Sequence, residues 1–504
     1  MTEDKGFSDR NIRFQEAIMA MITIDPNKPV GTISPHIYGH FTEHIGGVIY
    51  DGIRVGEDST IPNVNGIRLS LIEHLKRINP SVIRWPGGCF ADRYHWQDGI
   101  GTREKRPRRY GRWSDVTEPN YFGTHEFIDF CRLVNAEPYF AGNVGTGSAE
   151  EFQQWIEYCN APQNTTTLAD IRAENGSPEP FGVKFWGVGN EAWGCGGSFT
   201  PEDYADYYRQ FTTWLPAYDV PLYCIACGPN GDDRDWTKRF FEQYKRASGT
   251  VINGWSFHYY CGSAGGAIDF TEAQWYELLN KANVMEKIIN SQWELLGDYD
   301  PQHNIKLIVD EWGAWHPSGT EINSRHLFEQ VSTMRDALIA GLTLDTFNRH
   351  ADKVYMANVA QMINNLHSLF LADEEKFVAT PNYYVYEMYL AHQGALSLHT
   401  EFDTTNVGDL PILAGSASIK DKIICLTVTN LHAKESMETE VCINEAVVKE
   451  VRMTCLSHDN IHAHNTFTKP MEVVPNTSNI ELKNGRLIHN FNPASVTKLD
   501  IVVA

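Results

Sequence analysis

The sequence predicts an α/β chain: a (β/α)8 barrel of the TIM class with a C-terminal β-sandwich of jelly-roll-like kind. Three observations carry that expectation. Eight short β-rich runs alternate with longer amphipathic stretches. The glycine motifs that cradle phosphate in doubly wound sheets, GxGxxG and GxxxxGK[ST], are absent. Beyond about residue 395 the chain turns to short, β-branched runs separated by polar turns.

The barrel strands are read in order as HIYGHF (36–41), SVIRWPGG (81–88), EPYFAGNVG (137–145) and KFWGVGNE (184–191). PLYCIACG (221–228), GWSFHYY (254–260), KLIVDEWG (306–313) and KVYMANVAQ (353–361) complete the set. Between them, IRLSLIEHLKRI, THEFIDFCRLVN and PEDYADYYRQFTTWL place apolar residues at helical spacing. Thr124 and Thr200 are N-cap candidates, the latter followed by Pro201 at the first helical position. In the tail, IICLTVTN, METEVCINE, KEVRMTCLS and VTKLDIVV supply sandwich strands, and MITID at 21–25 is a strand that can join them. The expected division is an extension over 1–20, a sandwich strand over 21–34, a catalytic barrel over 35–394 and the sandwich over 395–504. All 13 tryptophans fall between Trp85 and Trp315, which sets an aromatic-rich catalytic part against a differently built tail.

Bulk properties narrow the function. The 504 residues carry 42% hydrophobic and 21% charged side chains, as a folded, water-facing chain does. A net charge of −22 repels phosphate polymers, which argues against nucleic acid or an anionic membrane as partner. The N-terminus lacks a basic start followed by an apolar run, and no stretch is long and apolar enough to span a bilayer. A cytoplasmic, reducing setting is therefore expected. Ten cysteines are too sparse for a disulfide scaffold, and the Cys224–Cys227 pair sits in an apolar run that reads as a buried strand.

In such a barrel, side chains at the C-terminal ends of strands face the active site. Those ends here offer Glu43, Arg84, Asn143, Asn190 with Glu191, His258 with Tyr260, Asp310 with Glu311, and Gln361. Carboxylates on strands four and seven would converge across the mouth. Glycoside hydrolysis needs such a pair: one carboxyl protonates the leaving oxygen while the other attacks or stabilises the developing oxocarbenium carbon. Strand alternation does not decide between Asp310 and Glu311, since a regular strand cannot aim both inward. The longer glutamate, followed by Trp312, suits a reactive group beside a sugar. GVGNEAWG can also be read as a helix N-cap Asn with a first-turn Glu. His36, His40, Glu43 and His44 lack the HExxH order, so hydrogen bonding around a sugar is expected there and no metal.

GVGNEAWG and IVDEWGAW, with RWPGGCFADRYHWQDGIG upstream and HIYGHFTEHIG near the start, resemble glycoside hydrolase family 51. Its members are mostly α-L-arabinofuranosidases among the clan A retaining glycosidases, and the likeness runs from about residue 30 to 400. It implies Glu191 as acid/base and Glu311 as nucleophile. It also implies that Glu43, Arg84, Asn190, Tyr260 and Gln361 hold the furanose or orient the carboxylates, with Trp113 and Trp315 flanking the sugar and its leaving group. Many relatives place Asn where this chain has Cys89, which would offer only a weak thiol to the sugar. Whether Cys89 and Cys195 are close is left open. The implied activity is exo-cleavage of terminal α-L-arabinofuranosyl groups from arabinan, arabinoxylan or derived oligosaccharides, by a homo-oligomer, often a hexamer, without a cofactor. A β-xylosidase or endoglucanase of the same clan is the alternative sugar assignment, and a non-catalytic carbohydrate-binding protein the alternative class.

Overall fold

The computed structural model describes residues 20–111, 113, 117–245 and 250–504; the expected extension over 1–20 lies almost wholly outside them. All eight runs become strands of one closed parallel barrel. In chain order these are Gly39–Phe41, Val82–Trp85, Glu137–Gly142, Phe185–Val188, Tyr223–Ala226, Gly254–Gly262, Lys306–Trp315 and Val354–Ala360. The last pairs with the first, Asn358 to Gly39 through Ala360 to Phe41. A side chain at Gly39 would put its Cβ 2.4 Å from Asn358 Oδ1, so closure of the barrel at this seam requires glycine.

The barrel interior is filled from below. Val82, Tyr139, Phe185, Ile225, Ile308 and Met356, from six different strands, form one apolar layer. Above it lies a polar layer, in which Asp310 accepts from Tyr139 Oη at 2.9 Å and Asn358 Nδ2 at 3.2 Å. The catalytic-type side chains stand above that.

Helices pack outside, most with an amphipathic face inward. Pro201–Thr212 is capped by Thr200, whose Oγ1 accepts from Asp203 N at 3.2 Å. Thr124 is not a cap: Gly123 is, and the Thr124 hydroxyl lies inside the helix, accepting from Trp155 Nε1. Met334–Arg349 is buried along nearly its whole length because it lies between the barrel and the tail domain. Its Asp345 accepts from Ser416 Oγ and Tyr389 Oη, and its Asn348 donates to Ser416.

The tail forms a nine-stranded sheet. Its order is Asn476–Asn479, Val448–Ser457, Ser495–Val503, Ile423–Asn430, Leu413–Lys420, Leu396–Asp403, Ala20–Thr32, Met437–Ile443 and Leu487–Phe491. Ala20–Thr32 runs antiparallel to Leu396–Asp403 and parallel to Met437–Ile443. The ladder is one continuous sheet, yet residues from both its ends, such as Val451 and Phe491, share a single apolar core with Ile22, Leu398 and Leu426.

Candidate active site

Arg84, only 1% exposed, anchors the mouth. Its Nη1 donates to Glu311 Oε1 at 2.8 Å and its Nη2 to Asn190 Oδ1 at 2.6 Å, while the Phe41 ring lies 4.7 Å from the guanidinium. A guanidinium keeps its proton, so this contact is a fixed positive charge against Glu311.

The seventh strand resolves the choice between Asp310 and Glu311 in an unexpected way. Opposite the sixth strand, Val309 pairs with Phe257 and Glu311 with His258, so Asp310 is an extra residue in a β-bulge. Both carboxylates therefore point inward, Asp310 to Tyr139 below and Glu311 to Arg84 above. Regular alternation would not allow this.

Glu191 follows the fourth strand in a turn rather than a helix, with φ 39°. Its Oε1 lies 3.0 Å from His258 Nδ1, and the same nitrogen is 3.5 Å from Glu311 Oε2. Glu191, Glu311 and His258 each bring one ligand-type atom within 4.8 Å of the others. That geometry could hold a cation, but Arg84 already occupies Glu311 with positive charge. The spacing suits carboxyls about 5 Å apart in a retaining glycosidase rather than the wider pair that leaves room for an attacking water.

Glu43 accepts from Phe90 N at 2.9 Å and Trp113 Nε1 at 3.1 Å, and Gln361 Nε2 stands 3.4 Å away. Gln361 Oε1 is buried without a protein partner among the described residues, an acceptor left for a hydroxyl. Tyr260 donates to Glu311 Oε2 at 2.7 Å and meets Trp315 edge-on, with ring centroids 5.3 Å apart. Phe328 joins Trp315 to Trp113 and completes an aromatic wall. A groove of about 710 Å³ opens beside Tyr260 and Trp315, also lined by Tyr259, Ser263 and Lys281.

Cys89 and Cys195 are joined, with S–S 1.98 Å and Cα–Cα 5.5 Å. This corrects the expectation of a Cys89 thiol and of a fully reduced chain: a disulfide sulfur has no hydrogen to donate. The two sulfurs lie 3.8 and 3.3 Å from Glu191 Oε2 as plain contacts.

Burial pushes the Glu311 carboxyl up, but the charges of His258 and Arg84 and the Tyr260 hydrogen bond outweigh it, so Glu311 sits below its ordinary value. His258 loses by burial and gains more from Glu311 and Glu191, ending above the usual histidine value. Glu43 is pushed up to about 7 by burial and by the nearby Glu311 charge.

Of the residues expected here, Glu43, Arg84, Cys89, Asn190, Glu191, Tyr260, Glu311, Gln361, Trp113 and Trp315 all reach this mouth. Asn143 does not serve it; its Oδ1 closes a local turn to Thr146 N and Gly147 N. The histidines near the start disperse. His44 accepts from Trp85 Nε1 and turns Nδ1 to Glu118, His36 meets Ser81, and His40 is buried without a polar partner among the described residues. His258 was visible at a strand end but without a role. Nothing in the sequence marks Asp92, which accepts three backbone N–H bonds beneath the site.

Facing glutamates in the mouth of a closed barrel, one ionised by a fixed arginine, make this chain a glycoside hydrolase. The profile described as Alpha-L-arabinofuranosidase 1 domain matches residues 74–266, and that of the Alpha-L-arabinofuranosidase C-terminal domain matches 310–495. An intracellular exo-α-L-arabinofuranosidase of Bacteroides ovatus is 38% identical over 469 residues, covering 90% of each chain. The GH51 arabinofuranosidase of Xanthomonas axonopodis pv. citri superposes with a TM-score of 0.90 at 36% identity, covering 96% of this chain and all of that one. The α-L-arabinofuranosidase of Thermotoga maritima, solved as an arabinose complex, gives 0.87 at 31% identity over the same share. The chain belongs to the GH51 α-L-arabinofuranosidase family.

Proposed function

We propose that this α-L-arabinofuranosidase works by double displacement, with Glu311 as nucleophile and Glu191 as acid/base. The observation that carries the reading is the unequal setting of the two carboxyls. Glu311 is held ionised by Arg84, His258 and Tyr260, whereas Glu191 touches no arginine or lysine among the described residues and stands on the open side. In the first step Glu311 attacks the anomeric carbon as the glycosidic bond breaks, and Glu191 gives its proton to the departing oxygen. In the second, Glu191 takes a proton from water, which attacks the same carbon and releases Glu311. Glu43, Gln361 and Asn190 hold the sugar hydroxyls, Trp113 and Trp315 flank the ring and leaving group, and Cys89 lines the wall as half of a disulfide.

The reading extends to exo-release of terminal arabinofuranosyl groups from arabinan, arabinoxylan or their oligosaccharides. It is supported by the exo-acting name of the Bacteroides ovatus relative. That relative is also named intracellular, which supports a cytoplasmic site of action. On family resemblance we extend the reading to a homo-oligomer, with a hexamer as the form to look for by light scattering.

The test is hydrolysis of nitrophenyl α-L-arabinofuranoside and nitrophenyl β-D-xylopyranoside by wild type and by Glu311→Ala. Furanoside turnover that the substitution lowers by more than about 10³-fold is expected. Turnover of the xyloside alone would discard the sugar, and an active Glu311→Ala would discard the nucleophile.

A further inference from the structure

Asp92 lies in the loop after the second barrel strand, three residues past Cys89, and is 1% exposed. Both its oxygens are spent on main-chain donors. Oδ1 accepts from Val144 N at 3.0 Å and Gly145 N at 3.1 Å, and Oδ2 accepts from Asn190 N at 3.2 Å. Its own carbonyl accepts from Thr146 Oγ1 at 3.0 Å. One side chain thus fastens the loops after strands two, three and four to one another.

The third of these bonds falls on the residue that immediately precedes Glu191. Glu191 has φ 39°, a left-handed backbone that non-glycine residues seldom adopt and that persists only where the surroundings hold it. The space around the clamp is full. A Cβ at Gly196 would lie 2.8 Å from Asp92 Oδ2 and 1.7 Å from Asn190 O, and one at Gly145 would lie 2.9 Å from the Asp92 carbonyl. The turn from 189 to 196 is therefore folded onto Asp92.

We infer that Asp92 is a positioning residue for Glu191, fixing the backbone turn that aims its carboxyl at the leaving-group oxygen. The inference rests on the acid/base reading of Glu191 given above. Asp92 itself touches neither sugar nor reacting atoms. Its effect is transmitted through the Asn190 amide.

Asp92→Asn isolates that bond. The amide keeps an oxygen for Val144 and Gly145 and presents NH2 to the Asn190 N–H, so two bonds remain and the third is lost. The experiment compares Asp92→Asn and Asp92→Ala with Glu191→Ala, on arabinofuranosides of 2,4-dinitrophenol and of a simple alkyl alcohol, with and without azide. Rates are counted per active site from the dinitrophenol burst, so partial misfolding does not enter.

Asp92→Asn is expected to lower kcat/KM on the alkyl substrate by about 10- to 100-fold and to change it little on the dinitrophenyl one, which leaves without a proton. Azide should restore part of the lost kcat on the dinitrophenyl substrate, as it attacks the glycosyl-enzyme without needing a base. The thermal midpoint should stay near that of the wild type. Equal losses on both substrates, or losses that track only the thermal midpoint, overturn the inference and leave Asp92 a structural residue. If Glu191→Ala itself shows neither leaving-group dependence nor azide rescue, the acid/base reading has failed, and that result is distinct from the first.

Discussion

Arg84 and Glu311, 227 residues apart in the chain, meet at 2.8 Å inside the barrel, and the same guanidinium reaches Asn190 at 2.6 Å. One cation thus sets the charge of the proposed nucleophile and the orientation of a proposed sugar-binding amide. Lysine, a point charge without the fork, cannot do both. Arg84→Lys is expected to lower kcat/KM by about 10² to 10³-fold. Its pH–rate profile should show an acid limb moved upward, since Glu311 would lose part of what holds it ionised. An unmoved acid limb would detach Arg84 from the charge of Glu311.

His258 also faces Glu311, alongside the Arg84 cation, and its two glutamate neighbours hold it above the usual histidine value; Tyr260 is the neutral donor, and Glu43, Asp310 and Glu191 are the surrounding carboxyls. Replacing His258 by glutamine removes a group that lowers Glu311, so the Glu311 value rises and the acid limb of kcat/KM shifts to higher pH. The neutral side chain also leaves Glu191 Oε1 without its imidazole partner. A profile of His258→Gln that superimposes on the wild type would show that the ring is uncharged in the free enzyme.

Position 88 leaves no room for a side chain beside the Glu311 carboxylate. A Cβ there would lie 2.8 Å from Glu311 Oε1. Gly88→Ala is expected to displace that carboxylate and reduce kcat by roughly 10²-fold. Circular dichroism should show the fold intact. Full activity in this variant would mean that Glu311 has room to move.

Behind the aromatic wall, His326 binds Asp51 at 3.2 Å and also Glu329, tying the loop that carries Phe328 to the loop after the first strand. Burial would lower this histidine, but its bonds to Asp51 and Glu329 raise it to about 9. Burial pushes Glu329 upward as well, yet two carboxylates facing one imidazole keep the ring protonated. Because the folded value exceeds the unfolded one, the stabilisation is complete below about pH 6.5 and is lost as pH rises through about 9. Its size is on the order of 2 kcal/mol. The thermal midpoint of the wild type should therefore fall between pH 6.5 and 9 more steeply than that of His326→Gln. Parallel curves would remove the ion pairs from the account.

The barrel was legible because each strand is a short apolar run ending in polar groups, and this pattern depends only on local sequence. Glu191 and Glu311 stood out as candidates for the same reason, as strand-end carboxylates, with Asp310 left beside Glu311 as an alternative. What remained hidden is tertiary. The Asp310 bulge is a mismatch between two strands, and neither strand alone records it. The Cys89–Cys195 bond joins two loops whose distance no spacing gives. Asp92 acts on main-chain amides, which every residue possesses, so no partner residue type betrays it. The tryptophan count was informative for another reason than expected. Trp85, Trp96, Trp186, Trp255, Trp275 and Trp312 fill the packing around the barrel, and the site itself is faced by Trp113 and Trp315.

The bulge on the seventh strand makes Asp310 a supernumerary residue, and this gives the strand an unusual tolerance. Excising Asp310 would leave Glu311 opposite His258, where it already pairs, and Val309 opposite Phe257. The place of Glu311 in the sheet is thus independent of the residue beneath it. What such an excision would take away is the lower counter-charge of Arg84, together with the acceptor of Tyr139 and Asn358. A one-residue deletion inside a catalytic strand, ordinarily ruinous to register, would here read out the electrostatic foundation of the site separately from its geometry.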